Sequence, residues 1–141
     1  MILLDTNVVS EGLRQRPDPN VEKWLDAQRP ADLFLCMPVI AELRYGAELL
    51  PPGARRVQLE SAIGKIEAAF AERTLPLDRA AAHEYGKIIA HRDRLGRATG
   101  TMDGLIAAIA KVHGATVATR DRSGFTDIGI DIVDPFAASR A

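Results

Sequence analysis

The sequence predicts an α/β protein, a three-layer sandwich in which a mainly parallel sheet of about five strands is flanked by helices. Two observations predict it. The chain opens on Met1, Ile2, Leu3 and Leu4, an unbroken apolar run of the kind a central strand shows when both of its faces are covered. Beyond it, short strand-like stretches alternate with longer ones whose apolar residues recur at helical spacing, the pattern of strand and helix units around a parallel sheet. At 141 residues the chain can bury a core without disulfides or a structural metal. No stretch is long or polar enough to act as a linker, so a single domain over residues 1–141 is expected.

After Leu4, the capping types Asp5, Thr6 and Asn7 lead into a short helix over Asn7 to Leu13. Pro19 opens a second helix through Arg29, with Val21, Trp24 and Leu25 on one side. Leu33 to Cys36 reads as a short buried strand ending at Pro38. From there Val39, Ile40, Leu43, Gly46, Ala47 and Leu50 keep helical spacing until Pro51, Pro52 and Gly53 stop it. Leu59, Ile63, Ile66 and Phe70 mark the next helix, and Thr74 to Leu77 a short strand. Ala81, Tyr85, Ile88, Ile89 and Leu95 give a long helix that Gly96 terminates. A helix from near Met102 turns Leu105, Ile106, Ile109 and Val112 inward and stops at Gly114. Ala115 to Thr119 and Ile130 to Val133 are the last strands.

A composition of 47% hydrophobic and 26% charged residues excludes wholesale disorder. Cys36 is the only cysteine, so no internal disulfide forms, which fits a reducing compartment. The amino terminus lacks a basic region and its apolar run breaks at Asp5, so neither a signal peptide nor a transmembrane span is expected. A cytoplasmic protein without membrane contact follows. The formal net charge of −1 shows none of the basic excess common in nucleic-acid-binding domains. Any such contact has to come from a local cluster. Lys87, His91, Arg92, Arg94 and Arg97 form one, readable either as a solvated helix terminus or as a track for an RNA backbone.

The acids carry the chemistry. In an open parallel sheet, ligands bind at the carboxyl ends of the strands, where strand order reverses. Asp5 follows the first strand, and Asp121 follows the strand ATVAT with one residue between, so both occupy that rim. Glu42 lies at about −60° from Val39 on the helical wheel, bordering the apolar stripe. Asp103 falls in the first turn of its helix, from which a side chain can project past the helix end. Taken singly, these are a cap, a half-exposed surface residue, a dipole partner and a turn former. Gathered together, the carboxylates repel one another unless a cation neutralises them. Hard oxygen donors select Mg²⁺ or Mn²⁺. Such an ion lowers the pKa of water and neutralises charge developing on a phosphate, which suits phosphodiester hydrolysis. Asp5 would then be a ligand delivered by the most rigid strand available.

Other constellations are weaker. His83, His91 and His113 have no metal-ligand spacing and all lie on expected helices, and Cys36 reads as a small buried residue. No glycine-rich phosphate loop occurs. Asn7 stands where a haloacid-dehalogenase-like phosphatase would place a second acid.

The segments LLDTNVVSEGLR, PVIAELRYGAELL, TMDGLIAAIAKVHGATVATRD and VDPF, in this order and spacing, resemble the PIN domain family, and within it the VapC and FitB type of toxin nuclease from bacterial toxin–antitoxin modules. The resemblance spans nearly the whole chain and implies that Asp5, Glu42, Asp103 and Asp121 form an acidic pocket for Mg²⁺ or Mn²⁺. It implies that Thr6 and Asn7 orient the first acid, and that Arg44 holds a phosphate or steadies Glu42. Its implied activity is metal-dependent endoribonuclease action, as the toxin of a type II toxin–antitoxin system. Its implied partners are an RNA substrate and a small antitoxin whose carboxy-terminal segment covers the site, with a homodimer or a larger toxin–antitoxin assembly as the form. One departure stands out: many relatives carry an acid directly before the phenylalanine of the last loop, whereas Gly124 precedes Phe125 here. A non-catalytic module that captures a basic peptide in the same pocket is the alternative.

Overall fold

The computed structural model describes residues 1–137. Its strands are β1 (Ile2–Leu4), β2 (Leu33–Cys36), β3 (Thr74–Leu75), β4 (Thr116–Ala118) and β5 (Ile132–Val133). All pair in parallel, in the order β3-β2-β1-β4-β5. β1 occupies the centre, with Ile2 opposite both Leu33 and Thr116. Leu3, Leu35 and Val117 are fully buried, which explains why these strands show no apolar/polar alternation. The chain steps outward from β1 through β2 to β3, then returns to build β4 and β5 on the other side. Strand order therefore reverses between β1 and β4, the place where an open parallel sheet leaves a crevice at its carboxyl end.

The helices are α1 (Thr6–Gly12), α2 (Pro19–Asp26), α3 (Met37–Glu48), α4 (Ala54–Ala69), α5 (Arg79–Arg94) and α6 (Thr101–His113). α3 packs against α1, α4 and α6, and α5 lies along α6. The approach of α5 to α6 is close at Gly104, where a Cβ would stand 2.8 Å from Ile89 Cδ1 and 2.9 Å from the Tyr85 ring. None of the described helices is long and apolar enough to cross a membrane.

Several boundaries differ from the sequence expectation for local reasons. α2 stops at Asp26, short of Arg29, because Pro30 holds Arg29 in extended backbone and starts a 3₁₀ turn over Pro30–Asp32. β3 ends at Leu75 because Pro76 has no N–H for the ladder. The buried face of α6 comprises Gly104, Ile106, Ala107, Ala108, Ile109 and Ala110, while Val112 is 38% exposed. The helix is covered by the sheet on one side and by α5 on the other. Its small residues therefore go inside beside Ile106 and Ile109, which are buried as the spacing predicts, while Leu105 is only half-buried.

Candidate active site

Asp5 continues the sheet: its N–H donates to the Ala118 carbonyl at 3.0 Å. Its side chain turns back to cap α1, accepting from the Thr6 N–H at 2.7 Å on Oδ1. Oδ2 accepts from the Thr119 hydroxyl at 2.7 Å and from the Asn7 side-chain amide at 3.2 Å. Thr119 is fully buried, and its Oγ1 in turn accepts from Asn7 Nδ2 and from the Asp121 N–H, each at 3.0 Å. Asn7 closes the ring by accepting from the Arg120 N–H at 3.3 Å. The start of α1 and the end of β4 are thus joined through one carboxylate, which leaves Asp5 only 4% exposed.

The other acids arrive on separate elements. Glu42, on α3, accepts from the Thr6 hydroxyl at 2.7 Å. Asp103 sits half-buried in the first turn of α6. Asp121 caps the 3₁₀ turn Arg122–Gly124, accepting from the Ser123 N–H at 3.1 Å and its hydroxyl at 2.5 Å. Asp5, Glu42, Asp103 and Asp121 line one cavity of about 270 Å³ together with Thr6 and Asn7. Six of the residues singled out in the sequence therefore meet around one space.

Crowding has an electrostatic price. Desolvation pushes the Asp103 carboxyl up to about 6, and the negative charges of Asp5, Asp121 and Glu42 add to the rise, while Arg92 opposes it. Burial raises Asp5 as well, helped by Glu42 and Asp121 and opposed by the hydrogen bonds from Thr119 and Thr6. Among the described residues, none of the four acids forms a salt bridge. Nor do any three His, Cys, Asp or Glu side chains there close on one point as a complete ligand cage. The donor set is nonetheless all hard oxygen around an open space, which fits an ion of the Mg²⁺ type, held by one or two carboxylates while keeping several waters.

Residues 2–130 match the family model described as PIN domain. The chain belongs to the PIN domain family. Among curated PIN-type relatives, it is 42% identical to the VapC ribonuclease Y4jK of Sinorhizobium fredii, over 96% of this chain and 98% of that one. It is 40% identical to the toxin FitB of Neisseria gonorrhoeae, over 96% and 99% of the two chains. Among solved structures, a chain in the crystal structure of FitAcB from Neisseria gonorrhoeae superposes with a TM-score of 0.92 at 40% identity, covering 98% of this chain and 100% of that one. A chain of FitAB bound to an IR36 DNA fragment also reaches 0.92, at 38% identity and 99% coverage of both.

Three positions of this PIN domain differ from expectation or escaped it. Arg44 turns away from Glu42: its guanidinium pairs with Glu67 on α4 and reaches the Glu60 carbonyl at 3.5 Å. Two positions apart on α3, the two side chains point about 200° away from each other around the helix, and α4 offers the carboxylate partner. Arg92 is no part of an exposed basic track, being 1% exposed and enclosed by neighbouring loops, while Arg97 is paired with Asp127 at 2.8 Å. Thr119 escaped the sequence reading; its signal was a hydroxyl at the end of an apolar strand, two residues before a candidate acid. The histidines are exposed, and burial pushes the Cys36 thiol up to about 12, as befits a packed and unreactive residue.

Proposed function

We propose that this chain is a single-domain endoribonuclease that depends on Mg²⁺ or Mn²⁺ and acts in the cytoplasm as the toxin of a toxin–antitoxin pair. The observation that carries the reading is the meeting of Asp5, Glu42, Asp103 and Asp121 on one cavity with no salt bridge to any of them among the described residues. Identity of about 40% over nearly the full length to proteins named as a VapC ribonuclease and a FitB toxin supports both the chemistry and the biological role.

Asp5 and Asp103 would hold the ion, with Glu42 and Asp121 completing the negative field. When bound, the ion supplies a Lewis acid for the phosphodiester and lowers the pKa of water. The chain's own contribution is orientation. Thr119, Asn7 and the Thr6 N–H hold Asp5 in one rotamer, and the Thr6 hydroxyl turns Glu42 toward the same space. Asp103, with its pKa near 6, carries its full charge only above that pH. A similar chain, at 25% identity and a TM-score of 0.68, comes from a structure described as a member of the VapBC family of toxin–antitoxin systems, which supports a small antitoxin as partner. A basic segment of such a partner could neutralise the same acids that a metal would. A homodimer, or a larger assembly with antitoxin, is the proposed working form.

The reading is tested by offering the purified chain matched RNA and DNA oligonucleotides with Mn²⁺, with Mg²⁺ and with EDTA. RNA cleavage that EDTA abolishes is the expected result. No metal-dependent cleavage, together with tight EDTA-insensitive binding of a basic peptide, would replace the nuclease with a non-catalytic binding module.

A further inference from the structure

We propose that Arg92 and Gly124 form a clamp that sets the position of the Asp103 carboxylate, acting as positioning residues for the acid site. The proposal rests on the reading of Asp103 as one of the metal-holding acids. Arg92 stands in the last turn of α5 with its guanidinium wholly inside the protein. Its Nη2 donates to the Ser123 carbonyl at 2.6 Å, and its Nη1 to the Thr126 carbonyl at 2.5 Å and the Thr126 hydroxyl at 3.3 Å. Its Nε donates to the Thr99 hydroxyl at 2.5 Å. One side chain thus ties together two segments. Thr99 lies two residues before α6, the helix that carries Asp103, and Ser123 and Thr126 bracket Gly124 in the loop that carries Asp121.

Gly124 completes the clamp because of what it lacks. A Cβ built there would stand 2.7 Å from Asp103 Oδ2, 3.3 Å from Cγ and 3.4 Å from Cβ. The backbone of the loop therefore lies against the whole length of the Asp103 side chain and leaves no room for a methyl group. A loop merely fastened down would not need this arrangement. Phe125, itself buried, already anchors the segment through its ring. Only the planar fork of an arginine reaches these separate acceptors at once, pressing the loop onto Asp103 from behind while leaving a positive charge near the acids.

The experiment compares wild type, Gly124→Ala, Arg92→Lys and Asp103→Asn by Mn²⁺ titration calorimetry, RNA cleavage kinetics and thermal melting. Gly124→Ala is expected to melt close to wild type, yet to lose about tenfold in Mn²⁺ affinity and in kcat with KM little changed. Arg92→Lys keeps the charge without the fork, and an intermediate loss in kcat is expected. Wild-type Mn²⁺ affinity and kcat in Gly124→Ala would overturn the clamp, as would losses in both variants that merely follow their melting temperatures. If Asp103→Asn binds Mn²⁺ like wild type, the metal reading fails and a crystal structure of Gly124→Ala decides the clamp alone. A carboxylate of Asp103 swung from its present place sustains it, and an unmoved one ends it.

Discussion

Asp5 and Arg92 are the two most instructive buried charges of this molecule, and they are treated in opposite ways. Both are nearly sealed from solvent, and both have their hydrogen-bonding atoms satisfied. Asp5 receives a backbone N–H, a hydroxyl and an amide; Arg92 gives to two carbonyls and two hydroxyls. Neither has an oppositely charged partner in a salt bridge among the described residues. The difference lies in what each one faces. Arg92 is enclosed by the backbone of two loops, so neutral dipoles hold its charge permanently. Asp5 faces a cavity shared with three more carboxylates, where dipoles aim the group but leave its charge to be balanced by something that arrives. Hydrogen-bond satisfaction and charge neutralisation are separate requirements, and this fold meets the first at both places while giving neither charge a direct ionic partner among the described residues.

Four measurements break or sharpen that contrast. The largest effect is expected at the acids: Asp103→Asn or Asp5→Asn should cost several kcal/mol of transition-state stabilisation, about 1,000-fold or more in RNA cleavage, while the fold persists by circular dichroism. Full activity in both would remove the acid site from the chemistry. Next comes Arg92→Met, which strands buried carbonyls and should lower stability by about 2–4 kcal/mol in urea unfolding. A midpoint equal to wild type would mean that the cage around Arg92 is dispensable. Thr119→Val removes one hydrogen bond from a buried carboxylate and should cost about 1–2 kcal/mol, with about a tenfold fall in cleavage. An unchanged rate would show that Asp5 is aimed by Thr6 and Asn7 alone.

The smallest effect is the pH dependence of the metal-free protein. Asp103 titrates near 6 in the fold against 3.8 as its ordinary value, so between these pH values the folded chain binds more protons than the unfolded one. The stability associated with this group is therefore present in full below pH 3.8 and is lost as pH rises through about 6. Discounted for its partial exposure, the loss is on the order of 1 kcal/mol. Thermal melts of wild type and Asp103→Asn should diverge across this window, and Mn²⁺ should restore most to the wild type above pH 6. Parallel melting curves would contradict the crowding of charge at Asp103.

Much of the architecture was legible from local pattern. The opening apolar run, the capping types after it and the helical spacing of Val39 to Ala47 each reflect forces acting within a few residues, and the structure holds those elements at nearly the expected places. The rim positions of Asp5 and Asp121 followed from a general property of parallel sheets, since both stand just beyond strand ends. Asp103 was harder. Ile106 and Ile109 are buried as their spacing predicts, but contact with the sheet and α5 also buries alanines and Gly104, and none of that pattern says where an acid in the first turn of α6 points.

Arg92 and Arg44 mark where local reasoning stops. An arginine among Arg94, Arg97 and Lys87 at a helix end has the sequence signature of a solvated terminus, and nothing nearby in the chain reveals that the loop from Ser123 to Thr126 folds over it. Arg44 is close to Glu42 in sequence yet pairs with Glu67, because α4 rather than its own helix supplies the nearer accessible carboxylate. Thr119 belongs with them, since its role exists only once β4 lies beside β1.

By itself, the sequence determined the elements, their order, the parallel sheet and which polar residues stand at strand ends and helix starts, because those depend on periodicity and capping over short range. The tertiary structure alone decided that four acids share one cavity, that a guanidinium lies inside, and that Gly124 touches Asp103. Those facts depend on the closure of long loops around a common core, as in the bond between Asn7 and Thr119, 112 positions apart. There, packing selects which distant groups meet, and no local preference encodes it.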